Sequence, residues 1–518
     1  MRKKFWTRAV ICALCAAFCL TGLTACEKED PASTLYIDIS NAGYGIDWLN
    51  PLELFEADHP GITVKVRDVV KNDNNYMAKC LSGVADTDLF FLETSVLKNV
   101  ETPVNANGVR YEHPFMDLTD LFHNVTIPGE DQTIAQKMRP EYLAFNTIDG
   151  RNYTFPWMES MMGFVMNKNA YKESWGKLNT TDELFEFCEN AKKDGYSPFI
   201  YSINDPYYLD IYDLWMTQYH GMENMAKFYD GYALSGRYEG ERYIPQMFLD
   251  DGLLAALEVL DRLVNYDNGY QDRLSYTLSF TAAQNTFLET DSKIVFMATG
   301  TWMQREMEMN YDPDEINSEF VRMPVVSALG VKLGISDEIL SQIIDYADGN
   351  AAEPPSFTST KGLDSEDVVA EVVAARKIVP SNHLHAAFIP SYSTKGDLAK
   401  EFILLMASDR GIRAMLEEEQ VKPPMQFDTL NSGIELSDFM KSVYRLADDS
   451  VFDIQAQGDL FRKGGLALVN NQGYFTKAMG AANPDDRKDA EDIYLANYDY
   501  VSDDVRWQYF LTSAGIQI

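Results

Sequence analysis

The sequence predicts an α/β protein built from two lobes, and two observations support this prediction. Strand and helix patterns alternate between residues 34 and 92, which is typical of a parallel sheet covered by helices. The chain of 518 residues is also too long for one small domain, because single hydrophobic cores stop growing at roughly 250–300 residues. We therefore expect two α/β lobes.

The first strands place polar residues at one edge of the predicted sheet. Alternating apolar residues indicate three strands, at 34–39, 62–66 and 88–92. Parallel sheets bind ligands beyond the carboxyl ends of their strands. Asn41, Tyr44 and Glu93 follow strand ends, so we predict that they contact a ligand. Asp88 opens its strand and is predicted to be a more distant contact.

The stretch from Arg151 to Tyr171 combines an aromatic strand end with a carboxylate. Pro156 has no N–H group to donate and therefore ends a strand, and Trp157 and Glu159 follow it. An indole can stack on the C–H face of a sugar ring, and a carboxylate accepts hydrogen bonds from hydroxyl groups. Both residues are predicted ligand contacts. The alternatives are that Trp157 is a core residue and that Glu159 is a catalytic acid.

Further along the chain, capping and turn signals mark the next elements. Thr180 and Glu183 form the pattern of a capping box, for a helix that Gly195 ends. An amphipathic helix is predicted at 253–264. A strand at 294–297 then runs into a turn of small residues that ends at Trp302.

Residues 207–215 are dense in aromatic side chains and carboxylates, and two interpretations stay open. Tyr208 and Asp210 are predicted to line a cleft. The alternative is a helix that buries Leu209, Tyr212 and Trp215 on one face.

The remaining sequence predicts a helix at 336–349 and an acidic surface loop or insertion at 350–367. A strand then ends near Tyr392, which is a predicted ligand contact. Thr394 and Asp397 are predicted to cap the next helix. The last hundred residues are mostly helical in pattern and contain no motif.

The N-terminus carries the signals of export. A basic segment precedes an apolar stretch that is too short for a membrane span, and Leu23-Thr24-Ala25-Cys26 follows. This order resembles the bacterial lipobox, which implies a signal peptide at 1–25, a lipid on Cys26 and a tether at 26–33. An ordinary secretory signal is the alternative. We expect the protein at the outer face of the cytoplasmic membrane, held by its lipid alone.

Composition and motifs exclude several classes of function. With 44 basic and 79 acidic residues the net charge is −35, which argues against binding to nucleic acid. No nucleotide-binding or hydrolase motif is present, and we predict no cofactor. His383 and His385 have no evident third ligand, so no metal site is predicted. A disulfide between Cys80 and Cys188 is left open.

These motifs, in this order, resemble the extracellular solute-binding proteins of sugar ABC transporters, of the maltose-binding-protein type. The opening strands, the helix beginning after Thr180, the turn before Trp302 and the segment after Ile389 carry the resemblance. It implies a periplasmic-binding-protein-like fold: two α/β lobes around a ligand cleft, joined by hinge crossings. The implied lobes are residues 34–125 with 328–415, and residues 126–327 with 416–518.

The resemblance also implies what the protein does. The indoles of Trp157 and Trp302 would stack on a carbohydrate, and the permease subunits of an ABC importer would receive it from a monomeric, non-enzymatic binder. Two other classes stay open. One is a lipid-anchored glycoside hydrolase or lyase, and the other is a surface module that binds glycan or peptide without a transporter.

Overall fold

The computed structural model describes residues 32–40, 49–69, 73–92, 96–204, 211–308, 310–312, 316–381, 385–454, 458–470 and 475–517. Predictions for some residues lie outside these ranges: Cys26, Asn41, Tyr44, Glu93, Tyr208, Asp210 and His383.

The strands are β1 Thr34–Ser40, β2 Thr63–Val69, β3 Leu89–Leu92, β4 Val104–Ala106, β5 Val109–Tyr111, β6 Thr147–Ile148, β7 Arg151–Asn152, β8 Phe155–Pro156, β9 Met162–Asn167, β10 Ser197–Ile200, β11 Ile294–Gly300, β12 Ser318–Val321, β13 Ile378–Ser381, β14 Ala386–Phe388 and β15 Val451–Ile454. The helices in the first part of the chain are α1 Leu49–Asp58, α2 Asp73–Leu81, α3 Thr119–His123, α4 Ile134–Lys137, α5 Pro140–Phe145, α6 Thr181–Lys193, α7 Tyr212–His220, α8 Met222–Tyr229, α9 Asp251–Val264, α10 Phe280–Leu288 and α11 Met303–Met307. Those that follow are α12 Ala328–Leu333, α13 Asp337–Ala347, α14 Ser365–Lys377, α15 Gly396–Ala407, α16 Asp409–Glu419, α17 Asp438–Asp448, α18 Asp459–Arg462, α19 Phe475–Met479, α20 Ala490–Val501 and α21 Asp504–Ser513.

The first sheet has the strand order β2–β1–β3–β14–β8. β1 pairs in parallel with both β2 and β3, which confirms the predicted parallel pattern. Six of the seven residues of β1 are buried, as expected for a strand covered on both faces. β8 is the edge strand, where the missing N–H of Pro156 breaks no ladder of hydrogen bonds.

The second sheet has the strand order β10–β11–β9–β12. β11 runs parallel to β10 and antiparallel to β9, and all of its residues are buried. Rings from three of the strands fill the space beside the sheet: the centroid of Phe199 lies 4.9 Å from that of Phe164 and 5.3 Å from that of Phe296. The two sheets form two α/β lobes, so the predicted fold class is confirmed.

The chain passes from the first sheet to the second between β8 and β9, through residues 157–161, here called the crossing segment. The strands therefore change sheet later than the predicted boundary at residue 125. A separate parallel pair, β13 with β15, joins residues from the two ranges assigned to different lobes. The lobe boundaries themselves stay a prediction.

Several local predictions hold. Thr180 and Glu183 form both hydrogen bonds of the capping box at the start of α6. The helix predicted at 253–264 is α9, and the one at 336–349 is α13, capped by Ser336. Tyr212 and Trp215 are buried in α7, which agrees with the helical interpretation of that segment for the residues described.

Two local predictions are wrong. α15 begins after Lys395 without a side-chain cap, so Thr394 and Asp397 do not form the predicted capping pair. The loop predicted at 350–367 ends earlier, because Asp364 caps a helix that starts at Ser365. The acidic composition of this segment reflects the first turn of α14, where carboxylates are favoured by the helix dipole.

Cys80 and Cys188 are both free and buried, so the disulfide is not formed. Burial raises the pKa of the Cys80 thiol to about 12, and it also raises the pKa of Cys188. Both cysteines therefore act as small core residues.

In the described part of the chain, none of the helices has the length and apolar character that crossing a membrane requires.

Asp453 of β15 has a buried carboxyl group that accepts a hydrogen bond at 2.5 Å from the hydroxyl of Thr217 in α7. Burial raises its pKa from 3.8 to about 6, and the hydrogen bond from Thr217 opposes this only in part. The folded state therefore disfavours the ionised form. Stability should be lost as pH rises from about 4 to about 6, by roughly 2–3 kcal/mol.

This dependence can be checked with Asp453→Asn, which cannot ionise. As pH is lowered from 7 to 4.5, the unfolding free energy of wild type should rise relative to that of the variant. Urea unfolding at four pH values measures it. A difference that stays constant with pH would show that Asp453 keeps an ordinary pKa.

Candidate functional site

The crossing segment brings two of the predicted ligand contacts close together. Trp157 opens it, directly after the edge strand of the first sheet. Met161 ends it, and the carbonyl oxygen of Met161 accepts a hydrogen bond at 3.1 Å from the N–H of Thr301, the residue before Trp302. Five residues span at most about 18 Å. Trp157 and Trp302 therefore lie at the two ends of one short connection between the lobes.

Trp157 is fixed at the carboxyl end of β3. Its Nε1 donates a hydrogen bond at 3.2 Å to the carbonyl oxygen of Leu92, the last residue of that strand. Its ring meets Phe91 edge-on at 5.7 Å and His385 at 5.0 Å. The side chain is fully buried. This placement agrees with the edge of the sheet at which a ligand was predicted, and burial agrees equally with the core interpretation.

Trp302 follows β11 of the second sheet and is 3% exposed. Its indole covers Gly300 so closely that a Cβ atom there would lie 2.1 Å from the ring. Glycine at position 300 is therefore required for the indole to fold back over the end of the strand. The turn of small residues seen in the sequence has this physical purpose.

Glu159, in the middle of the crossing segment, is held by two cations. Its Oε2 accepts a hydrogen bond at 2.5 Å from Nε of Arg139, and its Oε1 lies 3.3 Å from Nζ of Lys422. The Glu159 and Lys422 side chains are 4% and 1% exposed. The N–H of Glu159 also donates to the carbonyl oxygen of Lys422, at 2.9 Å. This buried cluster favours a structural role for Glu159 over the predicted contact with a sugar hydroxyl.

The charges of the cluster are mutually dependent. Burial alone would raise the pKa of Glu159, but the positive charges of Lys422 and Arg139 outweigh it, and the pKa lies below its ordinary value. Burial lowers the pKa of Lys422, and Glu159 offsets part of this effect. A buried charge whose partner is removed is strongly destabilising. The three side chains therefore act as one unit.

The cluster also joins the two lobes. Lys422 lies between α16, which packs on α1 beside the first sheet, and α17, which packs on β12 of the second sheet. Arg139 precedes α5, and its guanidinium donates to the carbonyl oxygen of Ala447 in α17 at 3.1 Å. The crossing segment and the connection around Lys422 are thus fastened to each other where the chain passes between the lobes.

Asp88 and Tyr392 lie elsewhere, at the amino end of β3. Asp88 accepts hydrogen bonds from the N–H of Tyr36 at 3.0 Å and from the hydroxyl of Ser393 at 2.9 Å. The hydroxyl of Tyr392 donates to the carbonyl oxygen of Cys80 at 3.0 Å. The structure does not bring these two residues together with Trp157, because Trp157 sits at the opposite end of the same strand.

Sequence reasoning missed Arg139 and Lys422 and gave His385 a different role. The pair His383 and His385 suggests a metal ligand in the sequence, whereas His385 is buried against Trp157. Within the described ranges no group of three metal-binding side chains is present. The pattern Lys422-Pro423-Pro424, a lysine followed by two prolines, is typical of a rigid turn, and it is a signal in the sequence that could have indicated this connection.

Comparison with known proteins shows the family to which the chain belongs. The sequence profile of the family described as bacterial extracellular solute-binding protein matches residues 52–426. No curated protein sequence matches. Among solved structures, T. maritima MalE3 with bound maltose is 14% identical, covers 90% of this chain and 98% of its own, and gives a TM-score of 0.53.

Two further structures give the same result. RafE in complex with raffinose is 14% identical, with a TM-score of 0.57 over 90% of this chain and 100% of its own. The solute receptor AcbH, described as exclusive for β-D-galactopyranose, is 10% identical, with a TM-score of 0.59 over 90% and 98%. At these identities the likeness establishes the fold.

Proposed function

Because this chain belongs to the bacterial extracellular solute-binding proteins, we propose that it captures a carbohydrate outside the cell and delivers it to an ABC importer. The observation that carries the proposal is the position of Trp157 and Trp302 at the two ends of the crossing segment. Closure of the lobes about this segment would bring a sugar held between them towards both positions, where an indole can stack on its C–H face.

Chemistry and comparison support the same solute class. A strongly acidic chain suits neutral or cationic solutes, and sugars are neutral. The structural relatives are described as binding maltose, raffinose and galactopyranose. Glu159 keeps its two cationic partners, so a hydrolase that uses it as the catalytic acid is not favoured. Catalysis by other carboxylates is the competing function that an experiment must separate.

Titration calorimetry with maltose, raffinose and galactose is the direct test. We expect at least one of these sugars to bind tightly. The bound sugar should raise the melting temperature, because only the native state binds it. The sugar should be recovered chemically unchanged. Scattering should show a smaller radius of gyration with the bound sugar. Release of new reducing ends would establish hydrolysis instead, and failure of every carbohydrate in a wider panel would contradict the proposal.

The lipid anchor is proposed on the N-terminal sequence alone. Cys26→Ala should abolish incorporation of radiolabelled fatty acid and leave the protein uncut or released. Cys80→Ala is the matched control, since Cys80 is a buried core thiol. Labelling of the Cys26 variant at the level of wild type would rule out lipidation at this position.

A further inference from the structure

A second passage of the chain between the two sheets lies beside the crossing segment. β13, which packs on β9 of the second sheet, ends at Ser381, and β14 of the first sheet begins at Ala386. The connection from Ser381 to His385 is here called the return segment. The N–H of Trp157 donates a hydrogen bond at 3.1 Å to the carbonyl oxygen of His385. The two segments are therefore joined at the end that faces the first sheet.

Tyr142 of α5 joins the same two segments at their other end. Its hydroxyl lies 2.9 Å from Oγ of Ser381, and it accepts a hydrogen bond at 3.4 Å from the N–H of Ser160 in the crossing segment. Because a phenol both donates and accepts, it can serve these two partners at once by donating to Ser381. Burial raises the pKa of Tyr142, so its hydroxyl keeps the proton that it donates. All three residues are at most 1% exposed.

The ring of Tyr142 is supported by β15. Its centroid lies 5.6 Å from that of Phe452, and β15 pairs in parallel with β13, where Ile454 lies opposite Ser381. One strand therefore supports both the phenol and the serine to which it is joined. The family profile ends at residue 426, so this support comes from a part of the chain that the profile does not describe.

We propose that Tyr142 is a positioning residue of the hinge, whose hydroxyl makes the crossing segment and the return segment move as one unit. A hinge turns through changes in the backbone dihedral angles of a few connecting residues. Two segments joined at both ends can adopt only those angles that suit both, which restricts how far the lobes open. The inference rests on the proposed function, since it concerns the opening of the same cleft, and Tyr142 acts from within the core.

Tyr142→Phe tests this role, because it keeps the ring on Phe452 and removes only the hydroxyl. Amide hydrogen exchange of residues 158–161 should become roughly fivefold faster, the effect of losing one neutral hydrogen bond. The lobes of a chain with a net charge of −35 repel each other, so a looser hinge should open further. X-ray scattering at low salt, without any sugar, should therefore give a larger radius of gyration than for wild type.

Tyr392→Phe is the matched control. It removes another buried hydroxyl, whose hydrogen bond at 3.0 Å to the carbonyl oxygen of Cys80 lies within the first lobe. Exchange of residues 158–161 and the radius of gyration should both stay at their wild-type values. Ser381→Ala should instead reproduce the effects of Tyr142→Phe. The double variant should add little to either change, because both break the same hydrogen bond.

Wild-type exchange and radius of gyration in both Tyr142→Phe and Ser381→Ala would overturn the proposal. Faster exchange with an unchanged radius of gyration would also overturn it, since the hydroxyl would then serve local packing alone. Effects that add fully in the double variant would show that the two residues act separately. These measurements use no sugar, so they decide the role of Tyr142 even if calorimetry shows that no carbohydrate binds.

Discussion

Replacing Glu159 by glutamine should lower the free energy of unfolding by about 3–5 kcal/mol, as breaking a buried ion pair does. The variant keeps the shape of the side chain but leaves Arg139 and Lys422 without their shared anion. Lys422 is buried and Arg139 is mostly buried, at 1% and 16% side-chain exposure. Urea unfolding at pH 7 measures the loss. Glu223→Gln is the control, because the ion pair of Glu223 with Lys227 is exposed and should contribute within about 0.5 kcal/mol.

The same variant carries a prediction about pH. The pKa of Glu159 is lowered in the folded protein, so its stabilising effect is present above the unfolded pKa of about 4.3. That effect is lost as pH falls through the lower, folded value. The difference between wild type and Glu159→Gln should therefore shrink under strongly acidic conditions. A difference that is small at pH 7, or equal at all pH values, would contradict the charged cluster.

Trp302→Ala should weaken binding of the captured carbohydrate roughly 30-fold, which corresponds to about 2 kcal/mol for an aromatic anchor. Trp157→Ala should have a similar effect. Both side chains are buried, so each truncation should also cost about 3–5 kcal/mol of stability. Affinity must therefore be measured by calorimetry at a temperature where circular dichroism shows each variant folded.

Trp175 provides the control for this loss of packing. Polar residues and Gly176 surround Trp175 in the sequence, but its side chain is 3% exposed and packs edge-on against Phe187 at 5.5 Å. Trp175→Ala should therefore lose comparable stability, yet keep its affinity, since Trp175 follows the end of β9 that is remote from the crossing segment. Equal affinity in all three variants would mean that the tryptophans serve only the core.

Much of the fold was predictable because its signals are local. The parallel strands β1 to β3 follow from alternation over a few residues, and α6 follows from Thr180 and Glu183 three positions apart. Local signals also fail locally. Thr394 and Asp397 have the spacing of a cap, but the helix begins one residue later, at Gly396, after Lys395, which makes no capping hydrogen bond with its side chain. Propensity is overridden where tertiary contacts fix the backbone.

The same distinction between local signals and tertiary contacts applies to the candidate site. The sequence by itself determined that Trp157, Glu159 and Trp302 stand at strand ends, because proline, glycine and residue type mark those ends within the chain. Only the tertiary structure decided what each side chain meets. Glu159 finds Arg139 at 20 residues and Lys422 at 263 residues away, and Asp88 proves to lie at the opposite end of β3 from Trp157. Ion pairs form between side chains that are close in the folded structure. The spacing of residues in the sequence therefore does not indicate which distant cation will lie beside a buried carboxylate.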